Sequence, residues 1–227
     1  MTTTAPKQYV IREIFYSPQG EGNRAGTLNV FIRFAFCNLQ CTPAVEGFFC
    51  DTDFGHGDRM TAEEIVAAVR AADTSRDVFN QNGCGWVILT GGEPSLQMDA
   101  PLCRALWDAG YKIAIETNGT HKVACGVDWV SVSPKPTRTC VLTYADECRI
   151  VLSAGQEPDG EQLRMSALSE FAYVSPAFRA PDVTNITGFV GGITDLPKEN
   201  ADWAVAYAKA HPRFRVSIQQ HKVLNVR

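Results

Sequence analysis

The sequence predicts an α/β protein: a mostly parallel sheet covered by helices, either open or closed into a barrel. Three observations predict it. Short apolar, β-branched runs alternate with helical patterns along the chain, which is the signature of repeated strand–helix crossovers. The runs are continuously apolar rather than alternating, as strands buried on both faces are. Nothing in the 227 residues reads as an internal repeat, a low-complexity tract or a linker, and that length is enough for one sizeable core. The whole chain, 1–227, is therefore expected to be a single domain, with residues 1–8 as a flexible N-terminal extension.

Taken in order, residues 29–36 (NVFIRFAF) read as a strand. Residues 61–72 (TAEEIVAAVRAA) read as a helix, with Thr61 and Glu64 spaced as a capping box and Ile65, Ala68 and Val69 on one face. Residues 86–90 (WVILT) form a buried strand that ends in Gly91-Gly92. A helix follows at about 99–109, stopped by Gly110. Residues 112–116, 129–132, 148–152 and 171–174 are short strands, and a last helix at 200–210 leads through His211-Pro212 to a final strand at 214–218.

Composition narrows the function. Acids outnumber bases, 25 to 21, for a formal net charge of −4, so a broad nucleic-acid surface is not expected. No stretch reaches the ~18 apolar residues of a membrane helix, and the first residues carry no signal-peptide pattern. The chain is expected in a reducing cytoplasm. There its 8 cysteines read as metal ligands, catalytic groups or plain core rather than as disulfides.

Ligands of parallel sheets gather beyond the carboxyl ends of the strands. Four polar turns fall there: Cys37 after one strand, Thr90-Gly91-Gly92-Glu93 after the next, then Glu116-Thr117-Asn118, then Ser133-Pro134-Lys135. Cys37, Cys41 and Cys50 share one loop (CNLQCTPAVEGFFCDTDF), whereas Cys84, Cys103, Cys125, Cys140 and Cys148 lie scattered in or beside apolar segments and read as small buried hydrophobes. Three clustered thiols call for a soft metal. A structural zinc site would need a fourth ligand, for which His56 is the nearest candidate. A [4Fe–4S] cluster with one open iron needs only three.

The cysteine loop after a strand, followed by a GGE-P turn on the next one, resembles the radical SAM superfamily. Seven segments in order narrow the likeness: residues 13–22 (EIFYSPQGEG), 33–35 (RFA), 50–53 (CDTD), 90–94 (TGGEP), 116–119 (ETNG), 132–135 (VSPK) and 220–225 (QHKVLN). Together they resemble the 7-carboxy-7-deazaguanine synthases. The resemblance implies an incomplete TIM-like barrel, for which 227 residues suit better than the ~250 of a full one. It implies a carbon–nitrogen lyase of queuosine and 7-deazapurine biosynthesis that converts 6-carboxy-5,6,7,8-tetrahydropterin to 7-carboxy-7-deazaguanine. In that chemistry a 5′-deoxyadenosyl radical abstracts hydrogen, Mg²⁺ assists ring contraction and ammonia leaves. It further implies an electron donor such as flavodoxin or ferredoxin, and a homodimer. A glycyl-radical activase would share the cysteine loop and GGE turn but not Gln19-Gly20-Glu21-Gly22 or the His221 tail, and a non-enzymatic metal-cluster module would need neither.

By the same resemblance Cys37, Cys41 and Cys50 hold the [4Fe–4S] cluster and Thr52 holds Mg²⁺. S-adenosyl-L-methionine (SAM) is met by Phe49, Asp51, Gly91, Gly92, Glu93, Ser133, Pro134, Lys135 and the stretch Ser175, Pro176, Ala177 and Phe178. The substrate is met by Pro18, Gln19, Gly20, Glu21, Arg33, Thr90, Glu116, His221 and Arg227. Read without the resemblance, Glu93 lies in the first helical turn after a tight strand-to-helix turn, Thr52 is an N-cap or a turn residue, Arg33 pairs with a surface acid, and Phe49 and His221 sit in the core. The loop departs from the usual C-x3-C-x2-C, because eight residues separate Cys41 from Cys50 and the usual middle position falls on Gly47. Either Cys41 serves and the loop carries six extra residues at about 42–47, or another cysteine is recruited; the first reading is preferred.

Overall fold

The computed structural model describes residues 6–48, 50, 52–75, 85–179 and 196–226. Nine strands form one sheet in the order β3-β1-β2-β4-β5-β6-β7-β8-β9. Antiparallel β1 (Tyr9–Pro18) and β3 (Asp58–Met60) occupy one edge. The remaining strands all run parallel: β2 (Leu28–Phe34), β4 (Trp86–Gly91), β5 (Lys112–Thr117), β6 (Trp129–Val132), β7 (Ala145–Leu152), β8 (Ser169–Pro176) and β9 (Phe214–Val216). β3 and β9 do not pair with each other, so the sheet is an open, incomplete barrel.

The helices α1 (Ala62–Ala72), α2 (Ala100–Asp108), α3 (Gly160–Leu168) and α4 (Lys198–Ala210) cover one face. Ile65, Val69, Leu102 and Leu106 pack on Val30, Ile32, Val87, Leu89, Ile113 and Ile115 to form the larger core. Met165, Ala204 and Tyr207 pack on Val132, Cys148, Ile150, Ala172 and Val174 to form the second. The opposite, inner face buries Phe15, Phe31, Ile88 and Ala114. Along the same face, one step further toward the carboxyl ends, come Arg33, Thr90 and Glu116. Strand alternation thus puts apolar groups on the floor and polar groups at the mouth.

The expected helices form where the caps place them. Thr61 accepts from the Glu64 amide and Glu64 reaches back to the Thr61 amide, closing the capping box of α1. Asp99 caps α2, and Gly110 leaves it at φ +92°. Strand boundaries shift by one to three residues. β2 stops at Phe34 because Phe36 takes φ +70°, a left-handed conformation that ends strand pairing. β7 and β8 run longer than expected, and β9 stops at Val216.

Four elements were not anticipated: β1, β3, α3 and the short α5 (Gln220–Leu224). β1 hides its pattern because its register shifts between Ile11 and Glu13. Tyr9 and Ile11 face the helices, but past that bulge Phe15 faces the inner floor, so no single period of two runs through it. α3 buries Gln162 and Ser166 beside Met165, a half-polar face that apolar periodicity does not find. Lys7, placed by sequence in a flexible extension, donates to the Gln97 carbonyl and to Asp99, each at 2.8 Å.

One cysteine expectation is corrected. Cys103 and Cys125 form a disulfide, joining α2 to the β5–β6 crossover. Cys103 lies on the buried face of α2, and Cys125 packs against the same core. Compartment statistics rank how common disulfides are; they do not register that the fold brings two thiols together.

The cap of α1 is measurable. Thr61→Ala removes the acceptor for the Glu64 amide and is expected to cost about 1 kcal/mol in urea unfolding, with an unchanged m-value.

Candidate functional site

The site begins where β2 and β4 end. Gly92 donates to the Phe34 carbonyl at 3.0 Å, and Glu93 donates through its amide to the Phe36 carbonyl at 2.9 Å. A Cβ on Gly91 would strike the Phe34 backbone, and one on Gly92 would strike the Phe36 carbonyl. Glycine is required here so that two backbones can touch; the contact seats the first residue of the cysteine loop against the GGE turn.

Glu93 is fully buried. One oxygen accepts from the Thr117 hydroxyl at 2.7 Å and the Ser95 amide at 3.0 Å, and the other accepts from the Asn118 amide at 2.7 Å. This carboxylate therefore ties the GGE turn to the Glu116-Thr117-Asn118 turn and caps the 3₁₀ turn Pro94–Leu96. Asn118 continues the network: its side-chain amide donates to Asn38 at 3.1 Å and its side-chain oxygen accepts from the Thr120 amide and hydroxyl.

Cys37, Cys41 and Cys50 are half-buried and outside the disulfide. Burial raises the Cys37 thiol above the ordinary range, opposed by the Leu39 amide, 3.4 Å away, and by the Asn118 side chain. Burial pushes Cys41 up to about 11; Lys135 opposes this while Cys50, Glu46 and Cys37 add to it. Cys41 thus feels both of its partners electrostatically. Among the described residues no three Cys, His, Asp or Glu side chains converge as a metal-holding group. The donor set still suits an iron–sulfur cluster, being three half-buried thiols in one loop, with the Lys135 cation offsetting part of what burial does to Cys37 and Cys41. His56 is engaged with Arg12 at 3.2 Å.

The six-residue enlargement of this loop is firmly seated. Residues 43–46 make a helical turn with Glu46 and Gly47 donating back to Thr42 and Pro43. Beyond it, Ser153 donates its hydroxyl to the Gly47 carbonyl at 2.9 Å, and Gln156 donates to the Glu46 carbonyl at 3.3 Å. Both anchors lie just past β7, so the insertion crosses the strand ends instead of extending into solvent.

On the substrate side, the segment after β1 arches across the inner face. Gln19 donates to Glu116 at 2.9 Å. The Gly22 amide donates to Ser217 at 2.9 Å, the Asn23 amide to Glu147 at 2.8 Å, and the Gln220 amide to the Gly20 carbonyl at 2.9 Å. The His221 ring packs so closely on Gly20 that a Cβ there would overlap it. Gln19, Gly20, Glu21, Thr90, Glu116 and His221 are therefore brought together, with Pro18 ending the strand that feeds them. Arg33 pairs with Glu13 through Nε at 2.8 Å, across the β1–β2 register; its terminal nitrogens are not used in that pair.

On the SAM side, Lys135 donates to the carbonyl and hydroxyl of Ser133 at 2.8 and 2.7 Å. The Pro134 carbonyl accepts from Gln162. Ser175 sits on the inner face at the end of β8 with its hydroxyl buried and without a hydrogen-bond partner among the described residues. Pro176 ends that strand, Ala177 donates to the Leu152 carbonyl, and Phe178 lies under the Lys222 ammonium at 4.6 Å. Thr52 lies two residues beyond Cys50, whose sulfur is 3.9 Å from the Thr52 carbonyl. Phe49, Asp51, Arg227 and Cys84 lie outside the described residues.

Sequence reading missed Arg149 and Glu147. Arg149 is buried on the inner face of β7, with Nη2 2.9 Å from Glu116, Nη1 3.1 Å from Glu21 and Nε 3.3 Å from Glu147. The available signal was an opposite-charge pair, Glu147 and Arg149, two positions apart in a strand that also carries Asp146. Burial would raise Glu116, but the Arg149 charge and the donors Gln19, Arg149 and Thr90 hold it down at about 2.

Two outcomes follow from these contacts. Glu93→Ala strands three buried donors and is expected to cost about 3 kcal/mol in urea unfolding; a loss below about 0.5 kcal/mol would show that the carboxylate is not a structural tie. Because Glu116 is depressed from 4.5 to about 2 in the folded chain, its stabilising contribution is present above the higher value and fades as pH falls between them. Wild type should therefore lose stability on acidification from about pH 5 to pH 2 more steeply than Glu116→Gln in pH-dependent unfolding.

No model of a protein family matches the chain. Curated relatives match it over nearly its whole length. The 7-carboxy-7-deazaguanine synthase of Burkholderia multivorans is 36% identical over 229 residues, covering 96% of this chain and 99% of the relative. That of Caulobacter vibrioides is 38% identical over 230 residues, with the same coverage. That of Bacteroides thetaiotaomicron is 36% identical over 217 residues, covering 96% and 98%. The crystal structure of QueE from Escherichia coli superposes with a TM-score of 0.62 at 23% identity, covering 94% of this chain and 95% of that one, so the open parallel sheet is the fold of that protein. On identities of this size over nearly the whole of both chains, the chain belongs to the 7-carboxy-7-deazaguanine synthase family.

Proposed function

We propose that this chain converts 6-carboxy-5,6,7,8-tetrahydropterin to 7-carboxy-7-deazaguanine with loss of ammonia, as a radical SAM enzyme. Full-length identity to the named synthases supports the reaction. The observation that carries the site is the convergence, at one sheet mouth, of the cysteine loop, the GGE turn and the Gln19–Glu116 group.

In this reading Cys37, Cys41 and Cys50 would hold a [4Fe–4S] cluster, with SAM bound beside it. The buried, partnerless hydroxyl of Ser175 is a group that a bound nucleoside would satisfy, and Phe178 offers it a flat face. Bound together, cluster and SAM supply one-electron hydrogen abstraction, driven by an electron donor of flavodoxin or ferredoxin type. Thr52 contributes one oxygen to Mg²⁺, an ion that keeps most of its waters and needs few protein ligands.

The remaining work belongs to the chain. Glu116 and Glu21 accept from the guanidine-like edge of the pterin, and Gln19 and Thr90 fix the orientation of Glu116. The terminal nitrogens of Arg33, left over from its pair with Glu13, take the substrate carboxylate. The arch formed by residues 19–23, closed by His221, keeps water from the ring. Holding one C–H against the abstracting group is the main rate contribution available to such a scaffold.

Anaerobic reconstitution tests the cofactor assignment. Wild type should take up iron and sulfide and turn brown; Cys37→Ala, Cys41→Ala and Cys50→Ala should each lose the cluster, while Cys140→Ala and Cys148→Ala should keep it. A Cys41→Ala protein with a full cluster would assign the second ligand elsewhere. With 6-carboxytetrahydropterin, SAM, reductant and Mg²⁺, the loaded enzyme should release the deazaguanine; SAM cleavage without that product would overturn the reaction assigned, and a colourless zinc protein would overturn the radical chemistry altogether.

A further inference from the structure

Arg149 stands apart from every other charged group of the site. It is buried on the inner face of β7, its side chain only 6% exposed, and it touches carboxylates from three separate elements. Nη1 reaches Glu21 on the arch at 3.1 Å, Nη2 reaches Glu116 at the end of β5 at 2.9 Å, and Nε faces Glu147 of its own strand at 3.3 Å. Glu147 is itself pinned, accepting from Ser131 at 2.8 Å and from the Asn23 amide at 2.8 Å. Nε is buried and makes no hydrogen bond to Glu147, so the guanidinium's hydrogen bonds run through its two terminal nitrogens, to Glu21 and Glu116.

We propose that Arg149 is the positioning residue of the substrate site: its planar fork holds Glu21 and Glu116 side by side, so that their remaining oxygens face one donor-rich edge of a flat heterocycle. The proposal rests on the function put forward above and adds to it the group that makes two acids act as one reader. Glu116 accepts from Gln19, Thr90 and Arg149, which leaves about one of its four acceptor sites for a ligand. Glu21 accepts from Arg149 through Oε2.

Two carboxylates alone in such a site would repel, and one would take up a proton and turn from acceptor to donor. A single arginine opposite three carboxylates prevents this and still leaves a negative excess. Neither Arg33, which pairs with Glu13 through Nε, nor Arg215, which lies over the Phe171 ring at 5.1 Å, pairs with these three carboxylates. A ligand edge made of N–H groups satisfies that excess, whereas an edge made of carbonyl oxygens does not. Lysine would keep the charge but not the fork, since only a guanidinium offers parallel donors in a fixed plane.

The test compares wild type, Arg149→Lys, Arg149→Gln, Glu21→Gln and the Glu21→Gln/Arg149→Lys double variant, each reconstituted anaerobically. Equilibrium affinities for 6-carboxytetrahydropterin and for SAM are measured separately, with steady-state KM and kcat. Arg149→Gln should weaken pterin binding roughly a hundredfold and Arg149→Lys roughly tenfold, the partial rescue reporting the charge without the fork. The loss should appear mainly in KM, and SAM affinity should stay at the wild-type value. Glu21→Gln should also weaken pterin binding, and the double variant should lose less than the product of the two single losses, because the second change acts on a clamp already broken. Should Arg149→Gln fail to fold, the Glu21→Gln and Arg149→Lys arms carry the cycle. Variants that bind pterin like wild type, or losses that multiply independently, overturn the clamp. Wild type that binds SAM but not the pterin overturns the reaction assigned above, and the clamp with it.

Discussion

The backbone seam between the ends of β2 and β4 is the constraint on which the rest of the site depends. Two hydrogen bonds join Gly92 and Glu93 to the carbonyls of Phe34 and Phe36, and a side chain at Gly91 or Gly92 would force the strands apart. Once that seam is closed, Glu93 points into the protein and meets Thr117 and Asn118. The start of the cysteine loop, the GGE turn and the ETN turn then move as one body. A glycine pair in such a motif invites an explanation by ligand approach alone. Here the chain itself claims the space first, and any bound group rests on a surface that the seam has already set.

The sequence made the parallel core legible and left the polar machinery partly hidden, for physical reasons that differ from place to place. The strands at 86–90 and 112–116 carry unbroken apolar stretches, residues 86–89 and 113–115, each preceded closely by a glycine, so composition and length identify them. Thr61 and Asp99 announce their helices because a cap is a local interaction between residues three apart. β1 escaped because a bulge turns its second half over, and α3 because it buries Gln162 and Ser166. Pairing between Cys103 and Cys125 is a matter of tertiary proximity, which no local pattern reports. Among site residues, those inside compact motifs were readable: Gln19, Glu21, Thr90, Glu116 and His221 do gather. Arg149 was not, because its meaning lies in partners 33 and 128 residues away.

Glu93 is a carboxylate that the fold itself uses in full. Its sequence context suggested a contact to SAM, or else a place in the first helical turn after a tight turn. The geometry uses both of its oxygens within the protein, on three donors from two turns, and so supports the turn reading directly. Arg33 is a similar case: it pairs with Glu13 as a strand arginine would, yet through Nε alone. In both, a structural contact fixes the side chain, and whatever it offers a ligand is offered from a held position.

The sheet does not close on itself, and its two ends are joined instead by the arch of residues 19–23, which runs from β1 to Glu147, Ser217 and Gln220. In a complete barrel, curvature is maintained by the strand ladder and the mouth can be redesigned freely. In this chain the span across the mouth is made of the same side chains and amides that would read the substrate. Shape and selectivity are therefore inherited together: a descendant that widened its pocket by discarding Arg149 or Glu147 would also lose the contacts that tie the arch to β7.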